Sequence, residues 1–265
     1  MRLAALSDIH GNLAALDAVL ADIARSGVDL TVNLGDILSG PLWVAETADR
    51  LMALELPTIA GNHERQVLTF ARDRMIASDA HTAATISERH RAWLAALPKT
   101  LQLAPEVLLC HGTPHDDLIY LMETVVPGFA GSHAPGVRAA TREEVGARLG
   151  DAMQGVPDAL ILCGHSHVPR VMQLNDGRLV VNPGSVGLQA YDDSHPHDHV
   201  IETGSPHARY ALITRRAAGW QVEQRCVPYD HESAARVADS RGRPDWGDAL
   251  RTGYVGTSMG RLPTD

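Results

Sequence analysis

The most constraining feature of this chain is a pattern repeated five times: a short apolar run ends abruptly in carboxylate, amide or imidazole side chains. Residues 2–7 lead into Asp8-Ile9-His10, residues 30–34 into Gly35-Asp36, and residues 57–60 into Gly61-Asn62-His63-Glu64. Residues 107–110 lead into His111-Gly112, and residues 159–163 into Gly164-His165-Ser166-His167. Short apolar runs bounded by turn residues read as buried strands. In open α/β sheets ligands collect outside the carboxyl ends of the strands, so neighbouring strands would bring these side chains to one place. Residues two apart on extended chain face the same way, which pairs Asp8 with His10 and His165 with His167. Glycines at 35, 61, 112 and 164 let the backbone turn beside a crowded site.

Helical periods separate the runs. Asn12 is a suitable N-cap for Leu13, Leu16, Val19, Leu20 and Ile23, with Gly27 as the stop. Residues 43–56, 64–75, 87–97 and 141–149 also read as helices. Beyond residue 169 the pattern turns to strands at 171–174, 178–182, 210–214 and 220–227, with Asp176-Gly177 marking a hairpin. Residues 192–207 read as polar and irregular. Alternating strands and helices followed by a run of strands predict an α/β layered fold whose later strands make a second sheet. We expect one domain over residues 1–229, with insertions near 112–158 and 188–207, then a C-terminal helix and surface tail over 230–265.

Composition narrows the partners. The formal net charge of -9 argues against a grip on long nucleic acid, which needs a basic surface. It leaves an anionic small substrate open, because bound cations reverse the charge inside a pocket. The three cysteines follow no zinc-knuckle spacing, no leader-like segment precedes Asp8, and no apolar window reaches membrane-spanning length. The expectation is a cytoplasmic protein with reduced thiols and no membrane partner. Nothing in the sequence sets the oligomeric state.

An isolated Asp-x-His or Gly-Asp carries little information, but five such motifs in this order resemble the calcineurin-like metallophosphoesterases, in particular the small bacterial and archaeal members. The resemblance continues through Asn182-Pro183-Gly184-Ser185-Val186-Gly187 and covers roughly residues 1–227. It implies a β-sandwich of two mixed sheets flanked by helices, and hydrolysis of phosphate esters with two metal ions. By resemblance, one ion is held by Asp8, His10, Asp36 and His167 and the other by Asp36, Asn62, His111 and His165, with Asp36 bridging. A hydroxide between the ions would attack phosphorus, and His63 would serve as general acid. The neutral Asn62 ligand suits manganese or iron better than a closed tetrahedral zinc site, with zinc, nickel or cobalt as substitutes.

The chain departs from the family's protein-phosphatase members, which carry an Asp and an Arg shortly after the bridging Asp. Here Ile37-Leu38-Ser39-Gly40-Pro41 follows Asp36. The departure predicts a His63 without an orienting carboxylate and no clamp for a dianionic phosphate. Small phosphodiesters are therefore favoured over phosphoproteins. Dinucleoside polyphosphates, with residues 112–158 covering a base, and small phosphomonoesters are the alternatives. A catalytically silent scaffold is a further one, against which the complete ligand set counts; the net charge counts against a nuclease. His115 is balanced between a substrate contact and an exposed turn. His195, His197 and His199 are expected in a solvated loop, and Cys110 and Cys163 as buried apolar groups near the site.

Overall fold

A computed structural model describes residues 1–128 and 136–256. The elements of the first half are β1 (Arg2–Leu6), α1 (Leu13–Ala24), β2 (Leu30–Asn33), α2 (Val44–Leu54), α3 (Asn62–Thr69), α4 (Ala77–Thr85), α5 (Glu88–Ala95), β3 (Thr100–Ala104) and β4 (Val107–Cys110). Those of the second half are β5 (Glu123–Val125), β6 (Val137–Ala139), α6 (Arg142–Leu149), β7 (Leu160–Leu162), β8 (Arg170–Gln173), β9 (Leu179–Asn182), β10 (Ala190–Asp193), β11 (His199–Glu202), β12 (Ala208–Arg216), β13 (Gly219–Val227), α7 (His231–Ser240) and α8 (Pro244–Thr252). Residues 129–135, within the insertion expected near 112–158, and the end of the tail lie outside the described residues.

Two mixed sheets face each other. One runs β13-β12-β1-β2, with β1 parallel to β2 and antiparallel to β12. The other runs β3-β4-β7-β9-β8, with β4, β7 and β9 parallel. The two-residue period of a strand divides the side chains cleanly. Leu3 and Ala5 of β1, Val107 and Leu109 of β4, and Leu160 and Leu162 of β7 form one apolar layer with Val32 and Ile213. Ala4 and Leu6 turn to the opposite face and pack with Leu16, Val19 and Ile23 of α1. Leu108, Cys110, Ile161 and Cys163 pack with Val145 and Leu149 of α6. Full burial of each large side chain contributes about 1.5–3 kcal/mol, so three apolar layers fix the register that brings the strand ends together.

Several local expectations are corrected. The helix read over 64–75 ends at Thr69, because Phe70 and Met75 are extended around a short 3-10 turn. Helix α4 was not anticipated, since it buries Ser78, Asp79 and Thr82 and shows no apolar stripe. The strand at 57–60 is one bridge, Asn33 to Thr58, beside Pro57, which has no N–H to extend the pairing. The polar stretch 192–207 contains most of an antiparallel hairpin, β10 with β11. Within the tail, residues 244–252 form α8, which packs on α7 through Ala235, Ala238, Trp246 and Leu250. No helix among the described residues is long and apolar enough to cross a membrane.

Candidate active site

The five strand-end motifs meet. The turns after β1 and β2 run side by side, with the amides of Asp8 and His10 donating to the carbonyls of Gly35 and Asp36, each at 3.0 Å. Asp8, His10, Asp36, His165 and His167 all have left-handed backbones, with φ of 55°, 53°, 51°, 68° and 58°. Such conformations cost about 1–3 kcal/mol each in a non-glycine residue and collect at functional sites. Here the strain aims five side chains into one buried space. Gly61 sits so close to the Asp36 carboxylate that a side chain there would overlap it.

Beneath these turns, the segment 182–187 acts as a floor. The Ser185 hydroxyl donates to the Asp8 carbonyl at 2.8 Å, and the amides of Val186 and Gly187 donate to the carbonyls of Ser7 and Asp8. Glu64, 2% exposed, ties the second turn to the third. Its carboxylate accepts from the amides of Asp36, Ile37 and Gly61 at 2.8–2.9 Å. That bracing role was hidden in the sequence, where Glu64 reads only as a favourable charge in a first helical turn.

Two triads result: Asp8, His10 and His167, and Asp36, His111 and His165, each with ligand atoms within 4.8 Å of one another. Asn62 joins the second through its Oδ1, 3.1 Å from His111 Nε2. Asp36 belongs to the second group; its Oδ2 lies 3.0 Å from His111 Nε2, and its charge also acts on His10.

The ring nitrogens show what the site is built to hold. Nδ1 of His10 donates to the Ser39 carbonyl at 2.7 Å, Nδ1 of His111 to the Leu34 carbonyl at 2.8 Å, and Nδ1 of His167 to the Leu188 carbonyl at 2.8 Å. Such bonds fix the tautomer and turn Nε2 inward as a ligand atom. As a result, Nε2 of His10 and Nε2 of His167 face each other at 3.1 Å. Burial, reinforced by His167, pulls His10 down to about 4. The nearby Oδ1 of Asp8 is buried without a hydrogen-bond partner. Two inward-facing imidazole nitrogens and a buried carboxylate oxygen without a hydrogen-bond partner make a donor set that suits a cation.

At the other triad the Asp36 carboxylate favours a proton on His111. Burial opposes charge on His111, but Asp36 prevails and pushes it up to about 10. Burial would raise Asp36, yet His111 and His63 hold its carboxyl well below the usual range. Metal binding must displace the His111 proton, so metal affinity should rise with pH up to about 10, approaching tenfold per unit for this one group. Calorimetry at pH 7 in two buffers of different ionisation enthalpy measures the protons released, and release of none contradicts this assignment.

His63 stands apart from both triads, 5.6 Å from His10 between ring centroids. Its Nδ1 donates to Asp79 Oδ1 at 2.8 Å, and that oxygen also accepts from the Ser39 hydroxyl at 2.7 Å. The expectation that His63 lacks an orienting carboxylate is thereby corrected: Asp79, 1% exposed on α4, supplies it from elsewhere in the chain. Burial disfavours the imidazolium, but Asp36, Asp79 and Glu64 outweigh it and raise His63 to about 9.

The histidine trio at 195–199 is also revised. His195 lines the cavity, while His199 is buried, with Nε2 2.9 Å from the Tyr120 hydroxyl. The Tyr120 and Tyr191 hydroxyls lie 2.7 Å apart, and Tyr191 donates to the His165 carbonyl at 3.1 Å. The Tyr191 ring also packs on His167, with centroids 4.7 Å apart. These groups brace the His165–His167 turn, and no spacing in the sequence pointed to them. His115 is exposed and leans over Gly150, apart from the residues that line the cavity. Cys110 and Cys163 are buried thiols, and burial raises both.

Residues 1–203 match the calcineurin-like phosphoesterase superfamily domain. The chain belongs to that superfamily. An uncharacterized protein of Methanocaldococcus jannaschii is 26% identical over 266 residues, spanning 92% of this chain and 94% of that one. A crystal structure of a metallophosphoesterase from Sphaerobacter thermophilus superposes with a TM-score of 0.65 at 23% identity, covering 96% of this chain and 99% of that one. A hypothetical protein from Pyrococcus horikoshii gives 0.69 at 20% identity, covering 95% and 98%. These two structures share the fold. Membership in the superfamily makes the protein a metal-dependent phosphoesterase.

Proposed function

We propose that the protein hydrolyses small phosphodiesters at a pair of cations, with His63 delivering a proton to the departing alkoxide. The observation that carries this reading is the His63–Asp79 pair set beside the Asp36-centred ligand groups. Asp8, His10, Asp36 and His167 would hold one ion, and Asp36, Asn62, His111 and His165 the other. Two bound cations supply a nucleophile by acidifying water and neutralise phosphate charge.

The side chains account for the remaining work. Asp79 holds His63 in one tautomer, with Nδ1 committed to the carboxylate and Nε2–H free to donate. Of the carboxylates that raise His63, Asp79 would still favour that proton when Asp36 holds cations. Arg243 lines the cavity, but its Nε is committed to Asp245 at 3.0 Å and one terminal nitrogen to the Ser78 hydroxyl at 2.9 Å. A phosphate with one negative charge therefore suits the site better than a dianion. The oxygen- and nitrogen-rich donor set, with Asn62 in it, favours manganese or iron. The net charge of -9 disfavours long nucleic acid, and the thiol content suits the cytoplasm.

The test compares bis-p-nitrophenyl phosphate with p-nitrophenyl phosphate on protein of measured manganese or iron content. We expect the diester to be preferred in kcat/KM by about tenfold, which corresponds to ~1.4 kcal/mol. Hydrolysis of neither by fully loaded protein would sink the proposal, and a clear monoester preference would remove its substrate half.

Asp79→Asn should lower kcat about tenfold and move the basic limb of the pH–rate profile downward. A general acid loses its proton as pH rises through its pKa, and loss of the Asp79 charge lowers that of His63. The same substitution in a His63→Ala background should have almost no effect. An unmoved basic limb contradicts the pairing.

A further inference from the structure

The superfamily match ends at residue 203, yet the cavity in front of the metal-ligand groups is completed by residues beyond it. The cavity measures about 470 Å³. Helix α8 contributes Trp246 to it, and Val255 follows. Trp246 stands edge-on to His10, with ring centroids 6.0 Å apart, and packs so tightly on Gly40 that a side chain there would meet its ring. Phe70, Ile76, Leu118 and Leu188 add to the apolar wall. Ile76 and Leu118, 56% and 38% exposed, present apolar surface to this cavity.

Charge completes the picture. Asp192, Asp193 and Asp245 line the same cavity, and Arg243 is bonded to Asp245. The three carboxylates crowd one another: burial and then the charges of Asp245 and Asp193 raise Asp192. A second phosphate placed here would meet carboxylates with no uncommitted guanidinium to offset them.

We propose that this part of the cavity is a leaving-group subsite for an uncharged apolar or aromatic alcohol, and that it rejects polyphosphate chains. The inference rests on the phosphodiesterase reading above and specifies the alcohol that departs past His63. Helix α8, outside the matched superfamily domain, is then the specificity element, and Trp246 is the residue that selects aromatic groups.

Binding of three phosphonates to manganese-loaded protein, followed by calorimetry, tests it. Phenylphosphonate should bind about tenfold more tightly than methylphosphonate, and 4-carboxyphenylphosphonate about fivefold more weakly than phenylphosphonate. Trp246→Ala should bring the phenyl and methyl compounds within about threefold of each other. Asp192→Asn combined with Asp193→Asn changes only exposed residues and should restore the carboxyphenyl compound, which settles the charge argument even if the Trp246 variant fails to fold. Equal binding of phenyl and methyl compounds, or no penalty for the added carboxylate, overturns the subsite. If bis-p-nitrophenyl phosphate is still hydrolysed in that case, the phosphodiesterase reading stands. Loss of both phosphonate binding and hydrolysis overturns the two together.

Discussion

Replacing Asp36 by Asn should remove both cations at once and lower kcat/KM by about 10³-fold, or ~4 kcal/mol. The carboxylate lies 3.0 Å from His111 Nε2 and acts electrostatically on His10, so in the proposed arrangement it would serve both ligand groups. Its Oδ1 also accepts the amide of His63 at 3.0 Å, which anchors the start of α3. An amide keeps the shape, but it removes the charge that would hold two positive ions close together. Metal content by mass spectrometry and steady-state kinetics measure the effect. A variant that retains two tightly bound ions and full rate contradicts the bridging assignment.

His63→Ala should behave in the opposite way, with metals retained and turnover slowed by about 10²–10⁴-fold. His63 belongs to neither triad, so ligand geometry survives its removal. The loss should be greatest for alkyl esters, whose alkoxides need a proton, and smallest for p-nitrophenolate, which departs without one. A loss independent of leaving-group pKa would mean that His63 only binds phosphate. Loss of metal together with rate would place it among the ligands.

The strand-end motifs were legible because each couples a strong apolar run to an abrupt polar stop. Packing of the apolar faces fixes the strands, and the backbone then has no choice about where the following residues go. Leu3, Ala5, Val107, Leu109, Leu160 and Leu162 share one buried layer, as a two-residue period requires. Supporting side chains were not legible, because their partners are distant in sequence. Asp79 lies on a helix that buries Ser78 and Thr82 rather than Leu or Val, so α4 has no apolar period and its carboxylate no evident purpose. Tyr120 and Tyr191 reach the histidine turn from two separate insertions, and His199 follows from a hairpin that composition alone disguised.

Helix α8 is a different case. Its signals were present: Pro244 at the first position, Asp245 in the first turn, Arg251 in the last, and Gly253 with φ 74° as the stop. They were outweighed by the surrounding Gly, Arg and Pro content, which reads as loop. The helix matters because Trp246 seals the cavity next to His10. Physical reading of a tail should therefore weigh capping residues ahead of composition.

The central claim is that Asp36 joins two cations, and anomalous diffraction from manganese-loaded crystals tests it most directly. The account predicts two peaks flanking the Asp36 carboxylate, one among Asp8, His10 and His167 and one among Asn62, His111 and His165. A single peak, or two peaks that do not both contact Asp36, would contradict it.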